Sequence, residues 1–401
     1  MDLPYIRGDF SDSIPRLQPM ERGDRSYLDG TMGQGFKKIL VIRFSSLGDL
    51  ILLTPLLGTL RSWAPKAAVH LLTKERYASL FTADDRVDEV KMLRSGTLRE
   101  LLELRSTLRA EKYDLIIDAH NVIRSNLLYA TIHSGVKVQL EKEQLKKFML
   151  TRMRLNLYDR VTHQSERYLD LLRPFSAPTG LSYPSLALPD EVIESARDMI
   201  QGHGLQGKPL VALAPGARWE TKRWPVEHFA DVAEYLSREG YGILLVGGQE
   251  DEKLCSELSR LCTEQPLDAS GKLDLLGSAA LLAECHALVT NDSAPLHMAE
   301  AVGTPVVAIF GPTVRELGYH PQLPSSAMLG LELRCRPCSR NGARPCHLHT
   351  KECLVDLAPE HVIEAAVSIL GIHRDEEKAA GVDRGEPGSG EPKDVLTEES
   401  E

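Results

Sequence analysis

Asp49 stands in the run RFSSLGDLILLTPLL, where a short apolar stretch gives way through small residues to a helical pattern. A carboxylate at such a junction can act as a general base toward a hydroxyl. It can also cap the helix by accepting its first N–H groups, and composition alone favours the cap by about two to one. Lys222 lies in PGARWETKRWP, just before a helical pattern that starts near Pro225. A lysine there can meet negative charge developing on a departing group. Arg218 and Arg223 flank it and raise the local positive charge, although most loop cations are simply solvated.

Asn291, Asp292, Ser293 and Ala294 form a second junction, in VTNDSAPLHMAEAV. Small residues let the backbone approach a ligand, and the N–H groups and dipole of a helix start favour an anion such as phosphate. His297, on the first turn, either donates to that anion or is a buried helix histidine. Asp292 would repel an anion, so it reads as a cap or as an acceptor for a hydroxyl. Gly247 and Gly248 end an apolar run and permit close approach, and Glu250 can accept from a ribose hydroxyl. A glycine pair there is more often a plain turn. Asn121 and Arg124 follow YDLIIDAH, and an arginine there suits an acidic ligand; helix-surface residues are an equal reading. Neither G-x-G-x-x-G nor G-x-x-x-x-G-K-[ST] occurs, which argues against a dinucleotide enzyme and a P-loop ATPase.

Cys335, Cys338, Cys346 and Cys353 are spaced C-x2-C-x7-C-x6-C beside His347 and His349. The first pair has metal-knuckle spacing suited to zinc or an iron–sulfur cluster. The second pair is irregular for zinc, so a structural metal and free or paired thiols remain equal readings. Cys255, Cys262 and Cys285 fall on helical patterns and are expected in the core.

These residues must be held by elements of a soluble chain. Of its 401 residues 42% are hydrophobic and 26% charged, ordinary for a globular protein. The net charge of −10 and the 5% aromatic content speak against a nucleic-acid partner. No secretory signal or run long enough to span a membrane is visible, so a cytoplasmic setting with reduced cysteines is expected. Residues 137–160 carry 7 Lys or Arg against 3 acids, interleaved with Leu, Phe and Met. Such a stretch can rest on anionic lipid headgroups, or be a solvated helix face.

The chain divides into five parts. Residues 1–36, rich in Gly, Asp and Arg and without a period, read as a poorly ordered extension. Residues 37–175 alternate short apolar runs with helical patterns, as a parallel sheet covered by helices requires. The alternation breaks at a Pro-bearing linker, 176–189. It restarts over 190–372, a half that includes the Cys-rich segment 335–353. Residues 373–401 hold 10 acids against 4 bases with few large apolar residues, which predicts a disordered acidic tail. Two doubly wound α/β halves should turn the C-terminal ends of their strands toward one crevice.

RFSSLGDLILLTPLL, PGARWETKRWP and VTNDSAPLHMAEAVGTPVVAIFGPT occur in that order, each at a strand-to-helix junction. Together they resemble the lipopolysaccharide heptosyltransferase family, from about Lys37 to Leu370. The resemblance implies the GT-B architecture, two Rossmann-like domains facing a central cleft. It implies inverting transfer of a heptose from ADP-heptose to the lipid A inner core, by an enzyme needing no cofactor for catalysis. By the same resemblance Asp49 is the base. Lys222, with Arg218 beside it, and the stretch Asp292, Ser293, Ala294 and His297 hold the donor diphosphate and sugar. Gly247, Gly248 and Glu250 then face the nucleotide, and Asn121 and Arg124 the acceptor. The expected protein is a monomer, peripheral at the cytoplasmic face of the inner membrane. A nucleotide-sugar epimerase on the same fold, or a catalytically inactive nucleotide-sugar-binding protein, are the alternatives.

Overall fold

The computed structural model of the chain describes residues 35–178 and 183–379. Most of the expected N-terminal extension, part of the linker and most of the acidic tail therefore lie outside the described residues. Among the described residues eleven strands form two sheets. β1 (Lys38–Ile42), β2 (Ala68–Lys74), β3 (Glu89–Leu93), β4 (Leu115–Asp118) and β5 (Val136–Gln139) make the first. β6 (Leu210–Ala214), β7 (Gly242–Leu245), β8 (Leu267–Asp268), β9 (Ala287–Asn291), β10 (Val306–Ile309) and β11 (Ala327–Leu329) make the second. The strand orders are β3-β2-β1-β4-β5 and β11-β10-β9-β6-β7-β8, with every pairing parallel.

Parallel strands covered on both faces must be apolar on both. β6, LVALA, and β9, ALVTN, are buried at every position. In β1, Ile39 and Val41 point into one cluster with the helix Thr54–Trp63, whereas Leu40 and Ile42 point into another with Leu101 and Leu108. Each such side chain contributes about 1.5–3 kcal/mol on full burial. The order of strands reverses between β1 and β4, and again between β6 and β9. Loops diverge at such switch points and leave a crevice. The runs bearing Asp49 and Lys222 follow β1 and β6, and the run bearing Ser293 follows β9.

Three elements depart from the sequence reading. DLILLTPLLGTLRSW forms two helices, Leu47–Ile51 and Thr54–Trp63, because Pro55 sits in the first turn of the second, where its missing N–H costs nothing. The short first helix then reaches across, placing Ile51 in the core of the second half. β11 pairs with β10 without having been expected. The last helix, Pro359–Ala379, runs on past His373 into the stretch expected as tail.

Candidate active site

A cleft of about 1060 Å³ runs between the halves, with Asp49 on one wall and Lys222, Asp292 and Ser293 on the other. The Asp49 carboxylate is 8% exposed. Its Oδ2 accepts from the Ser46 hydroxyl at 2.7 Å and the Ser46 N–H at 3.1 Å, and pairs with Arg43 at 2.7 Å. Its Oδ1 accepts from Tyr168 at 3.0 Å and Tyr319 at 3.1 Å. Burial alone would push this carboxyl up. The Arg43 guanidinium and the Ser46 and Tyr168 donors outweigh burial and hold it well below the usual carboxylate range. Asp49 is therefore charged at any neutral pH, and base and cap are not exclusive, since its side chain also satisfies the Ser46 N–H in a capping box.

Gly48 makes the two walls meet. A Cβ built there would lie 2.8 Å from Cδ2 of His297, a contact that packed atoms do not tolerate. His297 is buried, and its Nδ1 has no hydrogen-bond partner among the described residues. Neither has the buried Oγ of Ser293, the N-cap of the helix Ala294–Ala301. Two orphaned polar atoms at one helix start, beside its free N–H groups, are what a bound anion would satisfy.

Lys222 Nζ is 2.6 Å from Asp292 Oδ2 and donates to the Asp292 carbonyl at 3.1 Å. The Thr313 hydroxyl donates to the same Oδ2 at 2.6 Å. Asp292 is thus neutralised by the lysine, and it does not cap the helix as expected. An ammonium has three donors, so Lys222 keeps one for a ligand. The Cys-rich segment props it from behind: a Cβ at Gly342 would lie 2.8 Å from the Lys222 chain, and the Thr221 hydroxyl bonds the Gly342 carbonyl. Arg218 is exposed on the cleft wall, stacked over Trp219.

Gly247, Gly248 and the exposed Glu250 also line the cleft, with Val246, Leu273 and Leu282 as an apolar floor. Sequence reasoning missed Asp251. A Cβ on Gly216 would lie 2.1 Å from its Oδ1, and one on Gly247 2.7 Å from its Cβ, so both glycines are needed to admit it.

One expectation fails. Asn121 and Arg124 do not line the cleft. Asn121 adopts φ +49° and donates its amide to the Leu140 carbonyl at 2.9 Å, whereas the Arg124 guanidinium lies against Gly96. His120, Arg76, Lys142, Lys147 and Arg340 take their place on that wall. Cys335, Cys338, Cys346 and Cys353 lie near enough to shift one another's thiols, although no three of them stand at metal-sharing distance among the described residues. Among the described residues the group close enough to share an ion is His70, Glu89 and Glu111. There Lys91 already pairs with both glutamates, and Lys38 with Glu111. Cys338 and Cys353 are buried, Cys353 in the core of the second half, and Cys346 is shifted toward its thiolate by backbone N–H groups of residues 348–351, which outweigh burial. Cys255, Cys262 and Cys285 are buried, as expected.

Neutral histidines knit the interface behind the site. His163 Nε2 bonds the His320 carbonyl at 3.0 Å, and the His163 and His297 rings stand 6.5 Å apart. Burial pushes His120 down to about 3, His297 and His320 to about 4, and His163 well below the usual imidazole range. The unfolded chain takes up these protons near pH 6.5 and the folded chain does not. Stability is therefore full above that pH and falls as pH drops toward 4, by at most about 1.4 kcal/mol per pH unit for each histidine. Glu300 runs the other way, because burial lifts its carboxyl to about 7; one such group does not offset four. The melting temperature is expected to fall between pH 7 and pH 5 in calorimetry, and a flat profile would contradict this account.

The chain is similar to known glycosyltransferases over most of its length. The sequence profile described as glycosyltransferase family 9 (heptosyltransferase) matches residues 101–349. The chain is 29% identical to lipopolysaccharide heptosyltransferase 2 of Salmonella typhimurium over 83% of its own length and 98% of the relative's. It is 26% identical to lipopolysaccharide heptosyltransferase 3 of Escherichia coli, over 66% and 80%. Among solved structures, a glycosyl transferase family 9 protein of Veillonella parvula superposes with a TM-score of 0.71 at 26% identity, covering 84% of this chain and 98% of that one.

Proposed function

The chain belongs to glycosyltransferase family 9, the heptosyltransferases, and from that premise we propose that it moves a heptose from ADP-heptose to the inner core of lipid A. The observation that carries the reading is the junction at Gly48 and His297, which sets a charged carboxylate across the cleft from a helix start with two orphaned polar atoms. The ADP diphosphate would lie on Ser293, His297 and the free donor of Lys222, with its base toward Gly247 and Gly248. An acceptor hydroxyl attacks the anomeric carbon from the opposite face. As its oxygen bonds to that carbon, the carbon–oxygen bond to the diphosphate breaks, and ADP leaves with the electron pair. The hydroxyl proton passes to Asp49. Lys222 and the N–H groups of the helix start meet the charge on the departing diphosphate, so the step calls for no metal.

The test is acceptor-dependent release of ADP from ADP-heptose with a truncated lipid A acceptor. An epimerase would turn over without acceptor, and a binding protein would release nothing.

The acceptor's lipid suggests where the enzyme docks. Leu145, Phe148, Met153, Leu155 and Leu157 are exposed in one short segment beside the exposed Arg152, Arg154 and Arg160. This segment joins the cleft rim at Lys142 and Lys147. Apolar side chains among cations suit an anionic bilayer surface. Lys146 and Lys147, the obvious candidates by sequence, turn inward: Lys146 pairs with Glu143 and lies over Tyr158, and burial lowers Lys147 to about 8. No described helix is long and apolar enough to cross a membrane. The protein is expected to co-sediment with vesicles containing phosphatidylglycerol. Phe148→Asp with Arg152→Glu should abolish this while ADP release with a soluble acceptor persists. Undiminished sedimentation of that variant would remove the segment from the interface.

A further inference from the structure

Asp49 is crowded. A carboxylate offers about four lone-pair sites, yet five donors converge on this one: Arg43, the Ser46 N–H and hydroxyl, Tyr168 and Tyr319. An acceptor hydroxyl that is to hand over its proton must first donate a hydrogen bond to the same carboxylate. It has no seat until one donor leaves.

The geometry singles out which one. Arg43 and the Ser46 hydroxyl bind Oδ2 at 2.7 Å, and the Arg43 contact is charge-assisted and buried, the strong kind. Tyr168 is 0% exposed in the core of the first half and has no path away. Tyr319 is different in each respect. Its bond to Oδ1 is the longest of the side-chain contacts, 3.1 Å. It is partly exposed and lines the cleft. It alone comes from the second half, just after Gly318.

Its backbone, by contrast, is fixed. The Gln164 N–H donates to the Gly318 carbonyl at 2.8 Å, and Arg167 donates to the Leu317 carbonyl at 3.2 Å. Gly318 holds φ +89°, and a Cβ there would lie 2.7 Å from the Thr162 carbonyl. With His163 Nε2 bonding the His320 carbonyl at 3.0 Å, the halves are pinned on both sides of Tyr319, so its hydroxyl can leave Asp49 by rotation of the side chain without the halves parting.

We propose that Tyr319 is a positioning residue whose hydroxyl occupies, on Asp49 Oδ1, the seat that the acceptor's nucleophilic hydroxyl takes, and that the acceptor displaces it by swinging the ring aside. This rests on Asp49 as the base. Occupancy keeps the buried carboxylate satisfied before the acceptor arrives. Displacement exchanges one hydroxyl for another, so the seat changes hands with little net loss of hydrogen bonding.

Tyr319→Phe and Tyr168→Phe, compared at matched melting temperatures, test it with ADP-heptose and a truncated lipid A acceptor. Tyr319→Phe leaves the seat open. It should lower the acceptor KM about three- to tenfold, the worth of one hydrogen bond, with kcat nearly kept. Tyr168→Phe removes a donor buried in the core yet leaves Tyr319 in place, so the acceptor KM should stay put. An acceptor KM that is unchanged or raised in Tyr319→Phe overturns the proposal. So does an equal fall in both variants. Should Tyr319→Phe fold poorly, 3-fluorotyrosine at 319 in the otherwise unaltered chain gives the same answer. With the enzyme already saturated with ADP, its fluorine signal should move again on adding acceptor, and a signal indifferent to acceptor overturns the idea. Near-normal turnover of Asp49→Asn would instead remove the base itself, an outcome distinct from either Tyr319 result.

Discussion

Asp49→Asn is expected to lower turnover by about 10² to 10⁴, the usual worth of a positioned general base, with little change in affinity for ADP. The asparagine keeps the shape, and its amide oxygen can still accept from Arg43 and the Ser46 N–H. The Tyr168 and Tyr319 hydroxyls can rotate to accept from the amide nitrogen. What is lost is the capacity to take a proton. The replacement has a stability cost as well, because Arg43 is buried and would face a neutral partner; breaking such a pair costs about 3–5 kcal/mol at most. Asp49→Ala removes every acceptor and should be worse in stability with no further loss in chemistry. Single-turnover measurement with saturating donor separates the two effects. A rate within a few-fold of the unaltered enzyme in Asp49→Asn would show that another group takes the proton.

Lys222→Met is the second large effect, an expected loss of about 10² to 10³ in kcat, as for removal of one group that meets transition-state charge. Its direction is sharpened by Asp292. The two side chains form a buried pair whose charges cancel. Methionine leaves a carboxylate beside the diphosphate, and repulsion should raise the donor KM as well. The double variant Lys222→Met with Asp292→Asn removes that repulsion. It should recover most of the stability and donor affinity but not kcat. Isothermal titration with ADP and initial rates of ADP release distinguish these outcomes. If the double variant regained kcat, Lys222 would be acting only to neutralise Asp292.

Asp49 and Lys222 stand at junctions visible in the sequence, but in arrangements the sequence does not contain. RFSSLGD presents Asp49 at the end of a strand, and Arg43 and Ser46 lie in the same run. Nothing within the chain's local pattern joins them to Tyr168 or Tyr319, which are brought in by packing of the helix Gln164–Leu169 and by a loop of the other half. The acceptor wall shows the same limit in reverse. Arg124 follows the correct strand, but on an exposed helix face it turns to Gly96. Lys142 and Lys147, part of a stretch whose composition suggests surface charge, line the cleft.

The cysteines and the basic segment teach a related lesson. Spacing such as C-x2-C states how close two thiols are along the chain; only packing brings Cys346 and Cys353 into the neighbourhood of Cys335 and Cys338. Cys353 goes to the core because a helix start there packs against the second sheet. Likewise, seven cations in 24 positions (residues 137–160) give a charge but no direction. Only the turn of the chain after Phe148 decides that apolar side chains and arginines face out and two lysines face in.

By itself the sequence determined the architecture and the junctions. Runs of buried apolar residues alternating with helical patterns can be satisfied only by parallel sheets clothed in helices, and small residues with polar groups at strand ends mark where ligands approach. Both are local properties, written in a few neighbouring residues. The tertiary structure alone decided which donors share Asp49, that Lys222 is spent partly on Asp292, and that Gly48 lets His297 close the cleft. Those contacts join residues far apart in the chain, such as Asp49 with Tyr319, across an interface between two halves. No period or spacing encodes them; they follow from how the two cores dock.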